Sequence, residues 1–157
     1  MAGNAKKNLN PRIENRRAFH DFFIEAKLEC GIALVGSEVK SLRDGKAQLN
    51  DAYARVERGQ LTLYQAHIDP YSKAALVYNH EPMRPRKLLA HRREIHKLEK
   101  ELAQRGTTLI PLAIYFKDGR AKVEIGVAKG KQQHDKRATI RKKEQDRELR
   151  RVMSKRG

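Results

Sequence analysis

KVEIGVAKGKQQHDKRATIRKK, residues 122–143, contains the point at which the chain changes character. Val123, Ile125 and Val127 alternate with Glu124, Gly126 and Ala128, the period of two that marks a half-buried strand. At Lys129–Gly130 the alternation stops. Beyond it apolar side chains are few, proline is absent and the chain stays basic to its end. Residues 18–130 therefore read as a folded body. Residues 131–157 read as a basic tail, disordered alone, and residues 1–17 as a basic, flexible N-terminal segment.

The chain has 157 residues, 39% of them hydrophobic, and a formal net charge of +16. That length suits one domain with an appendage. No apolar run approaches the ~18 residues of a membrane-crossing helix. MAGNAKKNLNPRIENRR lacks the apolar centre of a signal peptide, so the protein is expected in the cytoplasm. The single cysteine, Cys30, excludes an intrachain disulfide and a cysteine-built zinc site, and reads as a small buried apolar side chain. The charge is uneven. Residues 129–157 carry 12 Lys/Arg against 4 Asp/Glu, residues 84–100 carry 7 against 2, and residues 1–17 carry 5 against 1. The remainder nets −1, so three basic segments sit on a near-neutral body. That pattern suits a polyanionic partner. None of the three segments has the strong apolar face that membrane binding needs.

Residues 12–18 have room for one or two helical turns. From Phe19 to Leu34 the apolar residues suit an extended segment. Phe22, Ile24, Ala26, Leu28 and Cys30 share one face, Glu25, Lys27 and Glu29 the other, with a bulge or bend at Gly31. SEVKSLR, residues 37–43, reads as a short helix capped by Ser37 and followed by Gly45. Residues 52–68 read as a hairpin turning at Gly59, and residues 69–85 as turns. Arg86 to Arg105 reads as the one long helix, with a stripe of Leu88, Ile95, Leu98 and Leu102. TLIPLAIYF and RAKVEIGVA flank Asp118-Gly119, a strong hairpin signal. The order predicts a mainly β protein: about six antiparallel strands closed into a small barrel, with inserted helices. An open α+β sandwich is the alternative.

Patterns for catalysis are missing. His91 and His96 are five apart and do not share a helix face for a metal. GVAKG, residues 126–130, follows a strand but opens no helix with the phosphate-loop pattern, and no GxSxG is present. No enzyme, cofactor or metal is expected. The basic pairs at Arg86-Lys87 and Arg92-Arg93 suit phosphate neutralisation, and Arg86 and Lys87 are candidate RNA contacts. Glu29 and His91, taken alone, read as solvated side chains more readily than as RNA contacts. Tyr53, Tyr64, Tyr71, Tyr78 and Tyr115 read as packing residues. His134 lies in the tail, where a flat ring among cations suits stacking on a base.

Three stretches then carry a resemblance: GIALVGSEVKSLRDGKAQLNDAY (31–53), NHEPMRPRKLLAHRREIHKLEKE (79–101) and TLIPLAIYFKDGRAKVEIGVAKGKQQHDKR (108–137). In this order and spacing they resemble the SsrA-binding protein family, small protein B, of bacterial trans-translation. The resemblance runs from about Phe23 to the C-terminus. It implies an oligonucleotide-binding barrel with a basic tail that becomes helical on the ribosome. It implies binding to the tRNA-like domain of transfer-messenger RNA, delivery to stalled ribosomes and mimicry of the anticodon arm. The implied partners are that RNA, the decoding centre and mRNA channel of the small subunit, and elongation factor Tu on the aminoacylated RNA. At matching positions, Glu29, His91 and Lys122 meet the tRNA-like domain; many members have Asn where this chain has His91. Gly130, Lys131, His134, Asp135, Lys136 and Arg137 match the junction and the decoding-site motif. Gln132 stands where many members carry Lys. Val152 and Met153 match an apolar pair in the distal tail. A general basic ribosomal or RNA-chaperone protein is the second reading.

Overall fold

A computed structural model of the protein describes residues 10–104, 106–131, 145 and 147–151. In chain order the elements are β1 (Ile13–Glu14), α1 (Arg16–Asp21), β2 (Phe22–Ile32), α2 (Gly36–Arg43), β3 (Ala47–Gln48), β4 (Tyr53–Glu57) and β5 (Gln60–Tyr64). They continue with β6 (His67–Ile68), a 3-10 turn (Leu76–Tyr78), β7 (Arg86–Leu89), α3 (Arg92–Leu102), β8 (Thr107–Lys117) and β9 (Arg120–Gly130). Gln145 and residues 147–151 are helical and exposed. His134, Asp135, Lys136, Arg137, Val152 and Met153 lie outside the described residues.

The mainly β expectation holds. Asp118 and Gly119 both adopt positive φ, 52° and 76°, the pair that a tight hairpin turn matched to strand twist requires. β8 and β9 accordingly pair from Thr107 opposite Lys129 to Lys117 opposite Arg120. β9 turns its other edge to β2 and β8 pairs with β4, so hydrogen bonding runs β8-β4-β5-β7-β2-β9 and returns to β8, a closed ring of six strands. β1 lies on β8, and β3 and β6 form a separate ribbon. Inside the ring Leu61, Leu63, Leu88, Leu109, Ile114, Val123 and Ile125 are fully or almost fully buried. Cys30 is buried with them.

Two bulges set which residues face that core. β2 shifts register between Ile24 and Ala26, and β8 shifts between Pro111 and Ala113. A one-residue slip exchanges the faces of everything beyond it. Ile24, before the first shift, and Leu112, at the second, look outward, where with Ala18 of α1, Ile110 and Ala128 they make a second small core. Gly126 of β9 leaves room for them: an added Cβ would stand 3.0 Å from Leu112 Cδ1 and 3.2 Å from Ile24 Cγ2. The GVAKG stretch is thus strand, and its first glycine serves packing.

Four expectations are corrected. The bulge in β2 falls at Glu25 and not at Gly31. Residues 12–17 belong to the body: β1 pairs with β8, Asn15 N donates to Leu112 O at 2.8 Å, and Asn15 Nδ2 donates to Pro111 O at 2.9 Å. Ser37 does not cap α2; its hydroxyl pairs with His80 Nδ1 at 2.8 Å, and Glu38 accepts from the Val35 N–H at 2.9 Å instead. The predicted helix 86–105 divides into β7 and the shorter α3. Arg86 to Leu89 alternate buried and exposed, because Leu88 is wanted between β5 and β2. The two-residue alternation of four positions was hidden inside a longer stripe of leucines.

The division has a further cause. Arg86 is fully buried. Its guanidinium donates to Glu38, itself fully buried, to Ala66 O at 2.6 Å and to Pro82 O at 3.1 Å. Burial alone would raise the Glu38 pKa. The hydrogen bonds from Arg84, from Val35 N–H and from Arg86, with the Arg86 charge, outweigh it and hold the carboxyl below its ordinary value. The stability this contributes is present above the ordinary glutamate pKa of 4.5 and is lost as pH falls below it toward the lowered value. Glu38→Ala, leaving a buried guanidinium unpaired, is expected to cost about 3–5 kcal/mol in urea unfolding at neutral pH. Glu38→Gln should flatten the loss of stability below pH 4.5. An unchanged unfolding midpoint in Glu38→Ala would contradict this account.

Candidate nucleic-acid interface

Gly31 of β2 lies opposite Lys122 of β9 on one side and Leu89 of β7 on the other. A Cβ at Gly31 would come within 3.2 Å of Leu89 Cβ, so glycine lets β7 close against β2. Side chains two apart in a strand share a face, which sets Glu29 beside this crossing. Just past Leu89 the chain turns into α3, whose N-cap is His91; the Glu94 carboxylate accepts from the His91 N–H at 3.2 Å. The result is a cleft of about 300 Å³ lined by Glu29, Gly31, Leu89, Ala90, His91, Glu94 and Lys122. Glu29, His91 and Lys122, three of the residues singled out from the sequence, stand in its wall together.

Glu29 is held, not loose. Tyr115 donates its hydroxyl to one carboxylate oxygen, and Lys117 Nζ donates to the other at 3.3 Å. The Tyr115 hydrogen bond, aided by Lys117 and the charge of Lys122, keeps the Glu29 pKa below 4.5 despite slight burial. Glu29 is therefore an oriented, ionised acceptor. Burial first, then the hydrogen bond to Glu29, pushes the Tyr115 hydroxyl up to about 12. Arg12 stacks on the Tyr115 ring with its guanidinium 5.0 Å from the centroid. The His91 ring is 81% exposed, with Nε2 3.9 Å from Glu94 Oε1. The Leu89 side chain is exposed within the cleft, although it is a leucine on a four-residue strand.

Of the two basic candidates on β7, the alternation separates them. Lys87 is exposed and lines the adjoining cleft. Arg86 is a correction: with no exposed surface and its donors committed to Glu38 and to main-chain carbonyls, it cannot reach an RNA. Gly130 ends β9 opposite Phe22, and Lys131 N donates to Asp21 O at 2.9 Å. Tyr115 and Lys117 were missed from the sequence. Strict alternation from Leu109 turns Tyr115 inward; the bulge at Leu112 turns it out. Tyr78, expected to pack, is 81% exposed, whereas Tyr53 and Tyr64 do stack, with centroids 5.5 Å apart. Among the described residues no three His, Cys, Asp or Glu side chains gather as metal ligands, and no helix is long and apolar enough to cross a membrane.

A family model described as SmpB protein matches residues 12–155. An SsrA-binding protein of Geobacter sulfurreducens is 52% identical over 135 residues, covering 86% of this chain and 88% of its own. One from Caldanaerobacter subterraneus subsp. tengcongensis is 51% identical over 144 residues, covering 92% and 90%. Among solved structures, a chain from "tmRNA-SmpB: a journey to the center of the bacterial ribosome" superposes with a TM-score of 0.68 at 46% identity, covering 83% of this chain and 95% of that one.

The Glu29–Tyr115 contact is checked by titration. Tyr115→Phe should move the Glu29 carboxyl, followed by NMR, upward toward 4.5. Glu29→Gln should bring the Tyr115 absorbance titration down from about 12 toward the ordinary tyrosine value. Neither group moving would remove the contact.

Proposed function

Because the chain belongs to the SsrA-binding protein (SmpB) family, matched over residues 12–155, we propose that it binds the tRNA-like domain of transfer-messenger RNA, delivers it to stalled ribosomes and stands in for the anticodon arm. The observation that carries this reading is the convergence of Glu29, His91 and Lys122 from β2, the α3 cap and β9 on one cleft. The chemistry is that of RNA recognition without catalysis. Lys122 and Lys87 neutralise phosphates and release counterions. Glu29, ionised and fixed by Tyr115 and Lys117, accepts from a base amine or a 2′-hydroxyl. His91 donates from an exposed ring, as an asparagine would, and Leu89 offers an apolar surface to a ribose or base. The ring of six strands supports an oligonucleotide-binding barrel, the closure of which removes exposed sheet edges.

On this reading the body, residues 12–130 with β1 counted in it, grips the transfer-messenger RNA and residues 131–157 enter the empty mRNA channel of the small subunit. Gly130 and Lys131 form the junction. His134, Asp135, Lys136 and Arg137 meet the decoding centre, and Val152 and Met153 anchor the distal tail. Elongation factor Tu joins on the aminoacylated RNA. Twelve cations between Lys129 and Arg156 repel one another until RNA neutralises them, so an RNA-lined channel favours the seating of the tail.

Binding of the tRNA-like RNA at several salt concentrations tests the cleft. Lys122→Ala should weaken binding and lower the salt slope by about 1; Glu29→Ala should weaken it with the slope unchanged. Equal binding of unrelated RNAs would favour a general chaperone and overturn the assignment. A chain ending at Gly130 should keep its RNA affinity and lose rescue of stalled ribosomes. His134→Ala should impair peptide transfer on the ribosome and leave binding to free RNA intact; loss of free-RNA binding would put His134 on the body's RNA face.

A further inference from the structure

The cleft does not end at His91. Leu89 and Ala90 also wall a second cleft, which adds Lys87 and Arg92. Arg92 and Ile95 in turn wall a third, of about 480 Å³, which adds Arg58 and His96. These three share walls in sequence and make one trough from β9, across β7 and the start of α3, to the turn between β4 and β5. We propose that the far end of this trough, where Arg58 and Arg92 face solvent, is a second phosphate-binding site that grips the backbone of the same RNA at a segment distinct from the one on Lys122. The proposal rests on the RNA-binding reading above and extends its footprint.

Residue choice at this end runs against local preference. Arg58 has φ +51° and Gly59 φ +73°, a turn that closes the β4–β5 hairpin beyond the Glu57–Gln60 pair. Asparagine, aspartate or glycine fits such a position with less strain. An arginine there accepts strain and gains a cation fixed on a tight turn at the trough rim. Arg92 and Arg93 occupy the first turn of α3, where the aligned peptide dipoles present their positive end and a cation is unfavourable. The one acid in that turn, Glu94, is engaged with the His91 N–H. A phosphate would relieve both misfits, neutralising the cations and meeting the dipole with negative charge.

The cations are also uncommitted. Among the described residues no carboxylate pairs with Arg58, Lys87 or Arg92, all of them exposed. Elsewhere on the surface Arg12 pairs with Glu14, Arg17 with Asp51, Lys117 with Glu29 and Lys129 with Glu25. The one carboxylate in the third cleft, Glu99, lies 3.7 Å from His96 Nδ1. Neither Phe nor Tyr lines this end, so it suits phosphate and ribose and offers no platform for stacked bases.

The test uses the full-length protein and its tRNA-like RNA. Arg58→Asn keeps a residue suited to the left-handed turn, and Arg92→Gln keeps a helix former. Each should lower the slope of log K against log salt by about 1, and the pair by about 2. Lys73→Gln, an exposed cation away from the trough, should leave the slope at the parent value. Hydroxyl-radical footprinting should show Arg58→Asn losing protection on a backbone segment other than the one lost in Lys122→Ala. A parent slope in both Arg58→Asn and Arg92→Gln, or loss at the same nucleotides as Lys122→Ala, overturns the proposal while leaving the cleft intact. A parent protein with no affinity for the RNA overturns the RNA-binding reading itself.

Discussion

Glu38 and Arg86 are both withdrawn from water, and the architecture around them makes that tolerable. A buried charge without a partner is among the most costly defects a protein can hold, so the geometry on each side must be exact enough to satisfy every donor. Arg86 reaches Glu38 on α2, the Ala66 carbonyl after β5 and the Pro82 carbonyl before β7. Three separate stretches of chain are thereby referred to one point. With Arg86 pinned, β7 can take only one register against β5 and β2. That register delivers Leu89, Ala90 and the His91 cap to the cleft.

The local features were readable because local chemistry settles them. Asp118-Gly119 and Gly59 mark turns that need positive φ, and β9 shows its alternation in Val123, Ile125 and Val127. The ion pair was not readable: its partners stand 48 residues apart, and in sequence Arg86 is one more member of a basic run. The same run disguised β7 as the start of a helix, since Leu88 completes a helical stripe with Ile95 and Leu98 as well as it fills a strand position.

For the site, Glu29, His91 and Lys122 came from resemblance to a family, and the spatial cause of their grouping is Gly31 between two strands. Tyr115 was hidden by physics that leaves no local mark. A single extra residue in β8 reverses its face, converting an expected packing ring into the donor that fixes Glu29. Bulges of this kind adjust the direction of a side chain without altering composition or hydrophobic content, so alternation read from the sequence passes over them.

β9 joins two ladders at once. It pairs with β2 from Phe22–Gly130 to Gly31–Lys122 and with β8 from Thr107–Lys129 to Lys117–Arg120. The chain leaves this strand at Gly130, at the end remote from Lys122, about 26 Å away at ~3.3 Å per residue. A pull on the C-terminal segment directed along the strand axis therefore loads both ladders in shear. Bonds on both edges must slip together, whereas a strand pulled sideways opens its bonds one after another like a zip. The geometry makes β9 a stiff strut under tension: the body resists unravelling from its C-terminal side, and a force applied beyond Gly130 arrives at the cleft as displacement of the whole body.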